Sequence, residues 1–155
     1  MKRRQTGFCC LSAELLVANL LRVASEDLDG ARLLGTANNR NAVYLCEQAA
    51  EKIIRAVLTT EGKHAGIKHL LNEMVDLIPD ENPLKPDLRS IERLAAYATA
   101  YRYPTATGRI KQTPPASDLD LDLQKVATAL QRAATQFGVD LAKRDAPAAN
   151  ARPAR

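Results

Sequence analysis

The stretch Asn38–Thr60, NNRNAVYLCEQAAEKIIRAVLTT, decides the fold class. Val43, Cys46, Ala50, Ile53, Ile54 and Val57 recur at three- and four-residue steps and draw one apolar stripe along a helix. Arg40, Glu47, Glu51, Lys52 and Arg55 are placed around the rest of the cylinder. Of the charged pairs four apart, Glu51 with Arg55 is attractive, whereas Glu47 with Glu51 is not. A helix of this kind is marginal alone in water, so other helices must cover its stripe.

The flanking chain is suited to that task. Its 155 residues fit one domain, and the 46% apolar content is enough to build a core. With two Phe, four Tyr and no Trp, that core must be Leu, Ile, Val and Ala. Abundant Ala and Leu with few β-branched runs favour helix over sheet. No apolar run approaches the roughly 18 residues of a membrane span. The basic start Lys2-Arg3-Arg4 leads into an apolar stretch that Glu14 interrupts, with no clean small-residue cleavage site after it. A basic leader on a cytoplasmic protein is therefore expected. Cys9, Cys10 and Cys46 make no disulfide framework, and Cys46 reads as a small buried hydrophobe. Net charge is +4, and basic residues gather at both ends (Lys2, Arg3, Arg4; Lys143, Arg144, Arg152, Arg155), where solvated tails are the plain reading.

Taken in order, residues 1–11 read as a basic flexible leader. Ser12 caps a first helix over Ala13–Leu34, with Leu16, Leu20, Val23, Ala24, Leu28 and Ala31 inward. Gly30 is expected to bend it or end it early, and Gly35 to stop it. The short connection Thr36–Asn39 makes the opening stretch its antiparallel neighbour. Gly62 suits a left-handed cap, and a short third helix follows over Ile67–Ile78 until Pro79. A fourth runs from Lys85 or Asp87 to about Tyr101, burying Leu88, Ile91, Leu94, Ala95 and Ala98 and exposing Arg89, Glu92 and Arg93. After a Thr-, Gly- and Pro-rich loop, a last helix starts at Ser117 or Asp118 and ends between Gly138 and Arg144. Residues 145–155 are expected to be a disordered tail. The predicted fold is all-α, an up-and-down bundle of four to five helices with its domain over residues 12–144.

Four local features then resemble the HEPN (higher eukaryotes and prokaryotes nucleotide-binding) family: Ser25–Ala31 (SEDLDGA) in helix one, Cys46–Leu58 (CEQAAEKIIRAVL) in helix two, His69-Leu70-Leu71, and Arg102-Tyr103-Pro104. The resemblance implies an α-helical bundle, commonly dimeric, that associates with nucleotides or RNA and often pairs with a minimal nucleotidyltransferase in a two-component, toxin–antitoxin-type module. Family members that are RNases carry an Arg followed four to six residues later by His. Here Arg102 is followed by Tyr, Pro, Thr, Ala, Thr, Gly and Arg. The expectation is thus a module without catalysis, and the alternative is an RNase that folds Arg102 against His69.

Arg102 is the leading candidate, since a guanidinium pairs with phosphate in a bidentate fork. Tyr103 beside it offers a ring for a base. Against this stands a structural role: Arg102 paired with Glu47 or Glu51, Tyr103 packed on the bundle. His69, Lys52 and Arg55 complete the candidate set, although Glu51 between the last two suggests an ordinary salt-bridged surface, and His64 reads as an exposed loop residue. Neither a metal-ligand spacing nor a phosphate-cradling glycine loop occurs, so no metal or cofactor is expected. With so few aromatics, a homodimer interface would supply burial that a small bundle lacks.

Overall fold

The computed structural model describes residues 6–68 and 70–151, without the side chains of residues 6–12 and 98. His69 lies outside the described residues. Helices α1 (Thr6–Thr36), α2 (Asn41–Thr60), α3 (Leu71–Asp76), α4 (Lys85–Ile91), α5 (Tyr97–Ala100) and α6 (Ala116–Phe137) form an all-α bundle, and no strand occurs among the described residues. No described helix is long and apolar enough to cross a membrane. Helix α2 touches every other helix. Its residues Val43, Cys46, Ala50, Ile53, Ile54 and Val57 are all buried, as the period of the opening stretch requires.

Helices α1 and α2 are an antiparallel pair. The contacts Gly30–Leu45 and Asp27–Lys52 recede on both sides of the turn at Ala37–Arg40. In that turn Asn38 takes φ 52°, which Asn tolerates, and the Asn39 Oδ1 accepts from the Asn41 N–H at 2.9 Å. Gly30 neither bends nor ends α1. A Cβ there would lie 2.9 Å from Leu45 Cδ1, so its missing side chain leaves room for the end of the Leu45 side chain on α2. The buried face of α1 also differs from expectation. Val17, Ala18 and Leu21 are buried, whereas Leu16 and Val23 are largely exposed. The run Leu15–Ala24 is apolar nearly all round, and packing selects the face whose Ala18, Ala24 and Ala31 permit close contact. The helix also starts at Thr6 rather than Ala13, which puts helix where part of the flexible leader was expected. Adding turns to an existing helix needs no new nucleus.

Helix α2 ends in a Schellman motif: Gly62 takes φ 65°, its N–H donates to the Thr59 carbonyl, and the Lys63 N–H donates to that of Leu58. The third helix is shorter than its apolar pattern, because Gly66 turns the chain at φ 60° and Leu70 is extended. Ile67 and Leu70 therefore stay exposed. The fourth helix is broken, with a 3₁₀ stretch at Glu92–Ala96 joining α4 to α5. Each 3₁₀ residue turns about 20° further than an α residue, so α5 is rotated by roughly 100° from where an unbroken helix would place it.

Residues 145–151 are not a disordered tail. Past α6, the chain folds back on α1, burying Val139, Ala148 and Ala151. Arg22 of α1, only 7% exposed, anchors this strap. Its Nε and Nη2 donate to the Asp140 carbonyl at 3.2 and 2.9 Å, and its Nη1 donates to the Ala146 carbonyl at 2.8 Å. The Ala149 and Asn150 N–H groups return to the carbonyls of Gly138 and Phe137 and satisfy the end of α6. Gly138, at φ 64°, is required twice over, since a Cβ would sit 2.8 Å from that of Ala149.

Candidate functional site

At the end of α5 the chain emerges as Tyr101-Arg102-Tyr103-Pro104. The Arg102 guanidinium lies 5.0 Å from the centre of the Tyr44 ring on α2 and 5.6 Å from that of Tyr103. That is cation–π range on both rings. Arg102 is exposed, as is Tyr103 at 64%. Neither pairing with Glu47 nor with Glu51 forms. Glu51 binds Arg55, and Glu47 accepts from the Gln48 amide at 3.0 Å. Tyr103 likewise does not pack its ring into the bundle.

Next to this stack is a second one. The Tyr97 and Tyr101 rings meet edge to face at 5.5 Å, and Lys111 Nζ lies 5.1 Å over Tyr101. The loop between them is a closed turn. The Thr105 N–H donates to the Arg109 carbonyl at 2.8 Å, and the Thr105 hydroxyl accepts from the Arg109 N–H at 3.2 Å. The turn presents Arg109, Ile110 and Lys111 to solvent.

The other candidates are placed differently. Lys52 Nζ lies 2.6 Å from Asp27 Oδ2, an ion pair that ties α2 to α1. Arg55 holds Glu51 at 2.8 Å and donates to the Lys68 carbonyl at 2.9 Å. Both cations are thus neutralised structural ties. Glu47 and Glu51, expected on the outer face, are buried; the face of α2 that keeps contact with solvent runs instead through Asn41, Tyr44, Gln48, Lys52, Arg55 and Thr59. His64 is exposed. Tyr44 was not legible as a site residue: it is one position from the apolar stripe, and nothing local links it to Arg102.

Asp122 of α6, whose charge acts on Tyr97, is 3% exposed and paired with Arg93. Burial pushes its carboxyl above the ordinary carboxylate range, and the charge of Arg93 offsets this only in part. The folded state therefore holds this proton more tightly than the unfolded chain. The contribution of Asp122 to stability therefore falls as pH rises out of the ordinary carboxylate range and levels off above the pKa of Asp122. Asp122→Asn should flatten that part of the stability-against-pH curve in urea titrations; an unchanged curve would show that Asp122 titrates normally. Burial also pushes the Cys46 thiol up to about 12, which keeps it neutral and unreactive.

No curated protein and no solved structure matches the chain. The family model of the HEPN domain matches residues 17–135, from the first buried turn of α1 into the last turn of α6. With most of its length matched and its helices in an all-α bundle, the chain belongs to the HEPN domain family.

Proposed function

We propose that this chain is a non-catalytic HEPN module that binds a nucleotide, an RNA or a partner protein through the face centred on Arg102. The observation that carries the reading is the exposed guanidinium held between the Tyr44 and Tyr103 rings. No ion pair among the described residues engages it. Such a group is oriented in advance and keeps its charge for an incoming phosphate or carboxylate. The lack of a His four to six residues after Arg102 argues against RNA cleavage. The family context supports action as a homodimer beside a minimal nucleotidyltransferase in a toxin–antitoxin-type pair.

The test combines cleavage and binding. The purified chain should leave RNA intact, and Arg102→Ala should weaken ligand binding about tenfold, the scale of one charge-assisted contact. RNA cleavage by the wild type that disappears in Arg102→Ala would overturn the reading and favour the RNase alternative.

A further inference from the structure

At the turn end of the α1–α2 pair, where α6 begins, a cavity of about 390 Å³ opens among the three helices. That volume lies in the range of small-molecule sites, roughly 300–1,000 Å³. The buried residues that line it, Val43 and Leu123, are apolar, and half-buried Leu119 lies with them. Among the described residues two charged ones line the cavity, Arg32 of α1 and Asp120 of α6, and they are of opposite sign. Both are exposed. Asp120 joins no ion pair among the described residues. Arg32 pairs with Asp29 at 3.0 Å, but the two side chains are 50% and 68% exposed. An ion pair so open to water contributes little and gives way to another carboxylate. Half-buried Thr113 makes no hydrogen bond among the described residues, which leaves its hydroxyl for a ligand.

We infer that this cavity binds a free α-amino acid with an aliphatic side chain. Its carboxylate pairs with Arg32, its ammonium with Asp120, and its side chain packs on Val43, Leu119 and Leu123. One cation, one anion and an apolar surface in a single cavity match that class group for group. A guanidinium holds a carboxylate in a bidentate fork. An aliphatic amine would leave Arg32 unmatched, and a fatty acid would leave Asp120 unmatched. A mononucleotide brings a dianionic phosphate to one cation and to the like charge of Asp120. The cavity shares no residue with the stack of Tyr44, Arg102 and Tyr103, so the inference is independent of the binding reading above.

The test is calorimetric titration of the full chain with L-leucine, beside L-leucine amide, 4-methylpentanoate, glycine and adenosine monophosphate. The first two comparators lack the carboxylate and the ammonium respectively, and glycine lacks the side chain. L-Leucine should bind saturably and raise the unfolding temperature. Each comparator should bind at least about tenfold more weakly, the scale of one charge-assisted contact or one buried aliphatic group. The variants should give a crossed pattern. Arg32→Met should lose about tenfold for L-leucine and leave the weak binding of the amide unchanged. Asp120→Asn should lose about tenfold for L-leucine and leave that of 4-methylpentanoate unchanged. Both positions are exposed, and cooperative thermal unfolding confirms that each variant folds. Arg102→Ala should bind L-leucine as the wild type does. No saturable binding of L-leucine, L-isoleucine, L-valine or L-methionine up to about 10 mM, well beyond the weakest useful affinity, would overturn the inference. So would adenosine monophosphate binding as tightly as L-leucine, or wild-type affinity for L-leucine in both Arg32→Met and Asp120→Asn. None of these results touches the Arg102 reading, which stands or falls on its own variant.

Discussion

Ile54→Ala should destabilise the protein by about 3–4 kcal/mol, the cost of an apolar group removed plus the cavity left in a packed core. Ile54 is fully buried on α2, the helix that touches all others, so few neighbours are free to close the gap. Against the 5–15 kcal/mol typical of a whole domain, that loss would put the midpoint of urea unfolding far below that of the wild type. Leu33→Ala is the matched control. Leu33 is 73% exposed on α1, and its truncation should stay within about 0.5 kcal/mol. If both variants unfold at the same urea concentration, α2 is not the centre of the core.

Arg22→Met should cost about 2–3 kcal/mol and loosen the strap of residues 139–151. Three donations from one guanidinium to the carbonyls of Asp140 and Ala146 are lost together. Their sum is not the expected effect, because the strap can lift and return its carbonyls to water. The loss is therefore limited to what the strap contributes through Val139, Ala148 and Ala151. Exposed Lys143 and Arg144 within it provide a direct readout, since trypsin should cut there many times faster in the variant. Arg22→Lys should recover only part of the difference, because an ammonium cannot span both carbonyls as the planar fork does. Wild-type resistance to trypsin in Arg22→Met would remove Arg22 as the anchor.

The strap shows where a linear reading fails. Asp145–Ala151 is short of large apolar residues and rich in Ala and Pro, the composition of a tail. Its order comes from an arginine more than a hundred positions earlier, and the two are neighbours only after the bundle forms. The same holds for α1. Periodicity identifies a helix there, but its apolar residues cover more than one face, and the choice of Val17, Ala18 and Leu21 over Leu16 and Val23 is made by the helix packed against it. Gly30 seemed a weak point because helix propensity is a property of one helix, whereas the room it leaves for Leu45 of α2 is a property of two.

The stretch Asn38–Thr60 determined most of what the chain alone can determine: an amphipathic helix that requires cover, an all-α bundle, and in Cys46–Leu58 the pattern of the HEPN family. Local rules suffice there because period, caps and breakers act over one or two turns. The site was only half legible. Arg102 and Tyr103 are adjacent and marked by Pro104. Tyr44, which completes the stack, and the loss of Lys52 to Asp27 of α1 depend on which helix faces meet, whereas the pairing of Arg55 with Glu51 lies within one helix and was legible from their spacing. Charge pairing and ring stacking act over a few ångströms in space, so only the tertiary structure could decide which cations are neutralised inside the bundle and which remain at its surface.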